Sequence, residues 1–436
     1  MNNSDNSYAT KIEPCRDKPL EGMKVCFVGA NHISQDTRAV REAISLANAG
    51  AKVVIASADN SSSPMLDDSS VKVILTGENH PPQHPVLSKM ETMRIIGRLT
   101  WYFPLNRVLS WTRRRSYLKW TKRCQDARWR KLEKAVVEEE PDVIQCVNLY
   151  SALPALRAAK RLDCLLVYDS YEYWQAVISD PLRANLFPSS MTKLLIARER
   201  EIAQSSAAVI TVNEMIASKI EKNYGINGVK VIYNGPLAVQ KNIAPTRQPI
   251  KLLVQGSYQE NLNVENVIRA MSILGDGYSL TLQGIGMDND LLRDFISSQG
   301  LKNEVLIADL VSLEETVSFA ARHDIGIYTA GTHHNGFYDE NFDLSAPNKI
   351  FTYMAAGLAL AVTELKFSSN IVRSYNAGVV LSNTSPEDIA HGIQMLASNA
   401  SQLDSCKQNS LAASKDYLWE KQADKLVSVY ERLKNA

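Results

Sequence analysis

The segment Ser345-Ala-Pro-Asn-Lys-Ile-Phe-Thr-Tyr-Met-Ala-Ala-Gly-Leu-Ala-Leu-Ala-Val362 holds the residue types best spaced for chemistry. Pro347 suits the first position of a helix, where its missing N–H costs nothing, so Asn348 and Lys349 fall in the first turn. Unpaired backbone N–H groups and the positive end of the helix dipole favour an anion such as a phosphate there, and Lys349 adds a full charge. Ile350, Phe351, Met354 and Ala355 follow at helical spacing and define an apolar face. Gly357 is placed to end the helix, and Leu358 to Val362 is a short apolar run of the kind that forms a parallel strand covered on both faces. The same pattern also fits an ordinary helix-to-strand joint of an α/β protein, with Lys349 a surface lysine.

The elements that must position this segment read as two successive doubly wound α/β domains. Lys24 to Gly29, Lys52 to Ser57, Val143 to Val147, Leu165 to Asp169 and Ala208 to Val212 are short β-rich runs, mostly separated by helical patterns. Asp36 to Ala49 is the first crossover helix, with Val40, Ala43, Ile44 and Ala47 on one face and Gly50 as its stop. Pro236, Pro245 and Pro249 mark a linker over 236–250 between a first domain at 21–235 and a second at 251–410. The second series runs through Lys251 to Gly256, Ser279 to Gly284, Val305 to Ala308, Asp324 to Tyr328, Leu358 to Val362 and Gly378 to Leu381. A terminal helix, Asp416 to Leu433, falls within 411–436.

Open parallel sheets bind ligands beyond the carboxyl ends of their strands. That rule selects Gly29 to Arg38, Asn148 to Leu153 and Asp169 to Trp174 in the first domain, and Gly256 to Asn263, Gly284 to Gly286 and Thr329 to Asn348 in the second. Gly256 would let backbone approach a phosphate, with Ser257 and Tyr258 as hydroxyl donors, or it is a plain strand-to-helix turn. His333-His334 reads as a solvent loop pair, because no carboxylate or third His stands at ligand spacing, and no metal is expected.

Composition sets wide bounds. The 436 residues are 45% apolar, enough for two or three cored domains. Cys15, Cys26, Cys124, Cys146, Cys164 and Cys406 are scattered, without a Cys-x-x-Cys pair, which favours reduced thiols and a cytoplasmic setting. Residues 1–20 are polar and read as a disordered tail, and no stretch approaches the 18 or so apolar residues of a membrane span. Lys89 to Lys134 stands apart, with fourteen Lys or Arg against three acids, a balance of +11 in a chain whose total is +1. Trp101, Tyr102, Phe103, Trp111, Tyr117, Trp120 and Trp129 are interleaved with those cations, as an anionic membrane interface selects. One apolar face would hold Tyr117, Trp120, Cys124 and Ala127; the alternative is a pair of ordinary helices with solvated arginines. No nucleic-acid module accompanies the patch, so nucleic acid is not expected as a partner.

Pro347-Asn-Lys349 followed by Phe351-Thr-Tyr-Met-Ala-Ala-Gly-Leu358 resembles the donor-site helix of the large retaining glycosyltransferase family numbered four, which has the GT-B fold. Met23 to Gly50 resembles that family's first strand, loop and helix. Pro141-Asp-Val-Ile144, Val167-Tyr-Asp-Ser170, Ala208 to Asn213 and Val231-Ile-Tyr-Asn-Gly235 fall in the family's order, so the resemblance spans about residues 23 to 435. It implies two Rossmann-like domains facing across a cleft, the first for the acceptor and the second for the donor, with the last helix packing back across the junction. It also implies transfer of a sugar from a nucleotide-diphosphate sugar, used as substrate with no cofactor, to a glycan or lipid-linked acceptor. A basic insert in the first domain suggests docking on the inner face of the membrane.

The donor side carried over is Gly256, Ser257, Tyr258, Gly284, Gly286, Asn348, Lys349 and Thr352, with Lys349 stabilising the leaving diphosphate. Acceptor-side candidates are Asn31, His32, Asn148, Tyr171 and Glu172, with Asp169 as a general base if it reaches the acceptor hydroxyl, or else as a turn former. The chain departs from the family at several of these places. Thr352 stands where relatives carry a ribose-binding glutamate, Leu344 where they carry an acid, Gln145-Cys-Val-Asn148 where they read His-Ala-His-Asp, and Asp169-Ser-Tyr-Glu172 where they read Asp-x-His-Glu. Asn261 and Asn263 replace loop cations. These departures keep open a glycosyltransferase-like subunit without chemistry of its own; an epimerase on the same fold would need cleft carboxylates and histidines that the sequence does not display.

Overall fold

The computed structural model describes residues 17–29, 33, 36–58, 62–67, 69–77, 127–179, 189–258, 262–331, 333–334 and 337–436. Asn31, His32 and Asn261 lie outside them, as do the tail before residue 17 and 89–126 of the basic aromatic stretch. The part of that stretch that is described begins the helix 127–138, which buries Leu132 and Val136 and whose Arg128 donates to the carbonyl of Ala58 at 2.7 Å. Ala127, expected on an apolar face, is exposed.

Two parallel sheets are present among the described residues, and both are doubly wound. The first follows the order β3-β2-β1-β4-β5-β6-β7, with β1 Lys24–Gly29, β2 Lys52–Ser57, β3 Lys72–Leu75, β4 Val143–Val147, β5 Leu165–Ser170, β6 Ala208–Thr211 and β7 Lys230–Val231. The second follows β10-β9-β8-β11-β14-β15, with β8 Ile250–Ser257, β9 Tyr278–Ile285, β10 Val305–Ile307, β11 Ile325–Tyr328, β14 Ala359–Thr363 and β15 Gly378–Leu381. Central strands such as β4, β11 and β14 are buried along their whole length, as apolar runs covered on both faces must be. A short antiparallel pair, β12 His333–His334 and β13 Phe337–Tyr338, interrupts the loop after β11.

The chain divides into two compact units. One takes the described residues up to Asp169 with Glu201–Ala208 and Tyr430–Ala436, and the other takes Ser170–Arg200 and Val209–Val429. The crossover helix Thr37–Asn48 starts on Asp36, whose carboxylate accepts from the N–H groups of Arg38 and Ala39. Its buried face is Ala39, Val40, Ala43 and Leu46, joined by Arg38, Glu42 and Ser45, while Ile44 and Ala47 are only half-buried. The expected face is therefore rotated, because a buried ion pair on this helix competes with aliphatic groups for the covered side. The C-terminal stretch forms two helices, Ala400–Ser414 and Trp419–Lys434. No helix among the described residues is long and apolar enough to cross a membrane.

Candidate functional site

The helix Asn348–Ala356 forms as its sequence demands. Gly357 takes φ +74, which a left-handed C-cap requires, and its N–H closes on Met354. Pro347 is the N-cap in extended conformation, one residue outside the helix position expected for it, and Asn348 and Lys349 are the first two helical residues. The Ile350 N–H closes on the Pro347 carbonyl at 3.0 Å, and the N–H groups of Asn348 and Lys349 meet no acceptor among the described residues.

Packing fixes the rotation of this helix about its axis. Phe351 enters an aromatic cluster with Tyr233, Phe367 and Tyr417, at centroid separations of 5.7, 5.7 and 5.1 Å. On another side, the Tyr353 ring lies against β11 where a Cβ on Gly326 would be 2.3 Å away, and its hydroxyl accepts the Gln255 N–H at 2.8 Å. The helix start is thereby held beside the carboxyl end of β8.

There Lys349 is half-buried and has no carboxylate partner among the described residues. Its ammonium lies 5.3 Å from the centroid of the Tyr328 ring at the end of β11. A Cβ on Gly256 would meet Lys349 Cε at 3.4 Å and Nζ at 3.5 Å, so the glycine, at φ +103, leaves the cation beside bare backbone. Desolvation alone lowers the ammonium pKa from 10.5 to about 8. A desolvated cation at a helix N-terminus, without an acid to neutralise it, is an arrangement that a bound anion completes.

The neighbouring candidates fall out differently. Ser257 is exposed, but Tyr258 is buried, and its hydroxyl finds no partner among the described residues. A Cβ on Gly284 would lie 2.0 Å from the Gly256 carbonyl oxygen and 2.6 Å from Tyr258 Cζ; one on Gly286 would lie 2.8 Å from the Tyr258 carbonyl oxygen. Both glycines therefore make room for Tyr258. Asn348 is exposed and accepts from Asn234 Nδ2 at 2.8 Å. The Thr352 hydroxyl donates back to the Asn348 carbonyl at 3.2 Å, and Leu344 is buried.

Among the candidates expected for an acceptor, Glu172 Oε2 accepts from Asn341 Nδ2 at 2.5 Å, while Asn341 Oδ1 accepts the Tyr173 N–H at 2.9 Å. Asn341 belongs to the short helix Glu340–Leu344 that leads into the Lys349 helix. Tyr171 is half-buried next to Glu172. Asn148 adopts φ +60, and its N–H binds the Asp169 carbonyl at 2.9 Å.

Asp169 itself is a correction. It is fully buried, and its carboxylate is bound by Arg38, with Nη2 to Oδ1 at 3.1 Å and Nε to Oδ2 at 3.4 Å. Arg38 also pairs with Glu42 at 3.0 Å, Gln145 Nε2 donates to Glu42 at 2.6 Å, and the Tyr430 hydroxyl donates to Gln145 Oε1. Burial drives the Glu42 pKa well above its usual value and raises that of Asp169 as well; the Arg38 charge opposes both shifts. One arginine facing two buried carboxyls leaves room for one proton, which Glu42 keeps and shares with Asp169. A carboxylate so enclosed does not reach an acceptor hydroxyl.

The sequence model described as Glycosyltransferase Family 4 matches residues 37–236, and that of Glycosyl transferases group 1 matches 238–412. The chain belongs to the family-four glycosyltransferases. Among solved structures, the glycosyltransferase shares its fold with sucrose-phosphate synthase from Thermosynechococcus elongatus at a TM-score of 0.66 and 12% identity, over 95% of this chain and 99% of that one. A glycosyltransferase from Rickettsia africae matches at 0.63 and 14%, over 95% and 100%. HepE of Anabaena in complex with UDP matches at 0.60 and 13%, over 95% and 100%. At these identities the likeness establishes the GT-B fold. No curated protein matches the sequence.

Sequence reasoning missed Tyr328, Asn341 and the Arg38–Glu42 pair. Only the last left a local trace: an Arg and a Glu four residues apart on a helix, among the small apolar residues of its covered side.

Proposed function

We propose that this glycosyltransferase moves a sugar from a nucleotide-diphosphate sugar to a glycan or lipid-linked acceptor, with retention at the anomeric carbon. The observation that carries the reading is the half-buried, acid-free Lys349 at the start of its helix, facing Gly256. In this reading the diphosphate sits against Lys349 and the first N–H groups of the helix, which stabilise the charge that grows as the anomeric C–O bond breaks. HepE, similar in fold, has been observed with UDP and with UDP-glucose, which makes uridine nucleotides the first donors to try. The acceptor oxygen attacks the face from which the diphosphate leaves. With Asp169 enclosed, the acceptor proton has a destination in the leaving diphosphate oxygen on that same face. Tyr171 and Glu172 are the polar groups left to orient the acceptor, no cofactor is required, and the 89–134 stretch would bring the protein to an anionic membrane surface that holds the acceptor.

A second reading has observations of its own. Asp169 is committed to Arg38, and Thr352 bonds back to its own helix, as expected of a subunit that binds a nucleotide sugar or a partner without turning it over. A thermal-shift panel of nucleoside diphosphates and their sugars, with Lys349→Ala alongside, followed by an assay of nucleotide release with membrane extracts, separates the two. A base-selective shift lost in Lys349→Ala, with acceptor-dependent release, is the outcome expected of a transferase. A shift without release under any acceptor supports the binding subunit, and no shift at all overturns the donor site.

A further inference from the structure

A cavity of about 330 Å³ opens at the amino ends of the central strands of the second sheet, away from Lys349. Lys251 on its wall is the second residue of β8, and Gly256 stands five residues further along the same strand, about 17 Å away at the usual rise. The helix that starts with Asn348 and Lys349 ends here, at Ala356 and Gly357.

The wall is strongly basic. Arg247, Lys251, Arg322, His323 and Lys407 line it, and Asp324 is its one acid. That acid is spent: Asp324 Oδ1 accepts from Lys407 Nζ at 2.8 Å and Oδ2 from the Lys251 N–H at 3.0 Å. Lys407 also donates to the Ala244 carbonyl at 2.9 Å, so it serves to tie the wall together. Arg247, Lys251 and Arg322 then remain, three cations with no carboxylate partner among the described residues. His323 Nδ1 is bonded to the Ala320 carbonyl at 3.1 Å.

The linker wall is held in place. Thr246 donates through N–H and Oγ1 to Asp404 Oδ1 at 3.0 and 2.6 Å, the Gln240 N–H binds the Ala355 carbonyl at 2.7 Å, and Ile243 packs so closely on Gly357 that a Cβ there would come within 2.7 Å. A concavity of this volume, pre-formed and with three unneutralised cations at its mouth, suits a compact polyanion.

We propose that this cavity is a second anion site, separate from the donor site, that takes a small phosphorylated ligand of about the size of a monosaccharide phosphate. Two or three phosphate oxygens meet Arg247, Lys251 and Arg322, and the inner wall accommodates the rest. The inference does not depend on the donor reading, since it uses other residues at the far end of the sheet.

The test is calorimetric titration of inorganic pyrophosphate into full-length Lys349→Ala protein, in which the donor site is disabled, and into the same protein carrying Arg247→Gln, Lys251→Gln and Arg322→Gln. The expected result is saturable binding of one pyrophosphate in the first protein, weakened about tenfold or more in the second, because several charge-assisted hydrogen bonds are lost. All three side chains are exposed, so the exchanges should leave the melting temperature unchanged. Absence of saturable binding in the Lys349→Ala protein, or equal binding by both proteins, overturns the proposal.

Discussion

Among the places where charge leaves water in this glycosyltransferase, the surroundings of Asp169 and of Lys349 answer it in opposite ways. Around Asp169 every charge is answered: Arg38 faces two carboxyls, Gln145 bridges to Glu42, and Tyr430 caps the amide. At Lys349 desolvation stands alone as the cause of the lowered pKa, and the nearest supports are a ring face and a glycine. A complete set of partners indicates a group that holds the fold, whereas an incomplete one indicates a group waiting for a ligand. Carboxylates at strand ends attract catalytic assignments, and here the contents of the surroundings decide against one.

Asp169→Ala gives the largest effect this comparison allows. It removes two charge-assisted hydrogen bonds from Arg38 and leaves Glu42 as the carboxyl beside the guanidinium, so chemical denaturation should show a loss of about 3–5 kcal/mol, whereas Lys349→Ala should leave the stability of the ligand-free protein unchanged or raised. An Asp169→Ala protein of normal stability but without turnover would reverse the assignment of the two sites.

The difference in legibility has the same origin. The helix start at Asn348 and Lys349, its apolar face and its glycine stop are written within a dozen residues, so sequence was sufficient there. The state of Asp169 depends on Arg38, 131 residues away, and on Gln145, itself held by Tyr430 285 residues further along, separations over which pattern reading has no purchase. Similarly, Gly284 looked like a ligand-side glycine because a glycine's need for space does not say whether a ligand or Tyr258 fills it. The strand Lys72–Leu75 went unread because four residues at a sheet edge, two exposed and two half-buried, carry little periodic signal.

Lys349→Ala should weaken nucleoside-diphosphate binding by about 1.5–3 kcal/mol, ten- to a hundredfold, in a titration. Its pH dependence sharpens the point. The folded pKa of about 8 lies below the unfolded 10.5, so between those values the unfolded chain binds more protons and the ligand-free protein gains stability as pH rises. Below pH 8 the residue is charged in both states and the full desolvation penalty applies. Lys349→Met should lack this rise. In the native protein diphosphate affinity should fall as pH climbs through about 8, and a flat profile above neutrality would remove Lys349 from the anion site.

Gly256→Ala should cost about 1 kcal/mol of stability, because alanine is strained at φ +103. The new methyl would also sit 3.4 Å from Lys349 Cε, in ordinary contact, and would take up space beside the ammonium that an anion needs. Diphosphate affinity should therefore fall less than in Lys349→Ala, and an unchanged affinity would separate Gly256 from the site.

Glu42→Gln should have the smallest effect, and it probes the buried network from within. If Glu42 holds the shared proton, an amide of the same shape reproduces its donor toward Asp169 and its acceptor toward Arg38; with the Gln145 amide turned over to accept from the new NH2 group and to donate to Tyr430, the stability at pH 7 should change by less than about 1 kcal/mol. A carboxyl whose folded pKa is raised takes up a proton on folding, so its contribution to stability is complete below the unfolded value of 4.5 and is lost as pH rises toward the folded one. Glu42→Gln should remove that alkaline-side decline while leaving Asp169 and Arg38 paired. A large loss at pH 7 would mean that both carboxyls are ionised beside one arginine, and the Asp169 region would then hold an unanswered charge of its own, as the Lys349 site does.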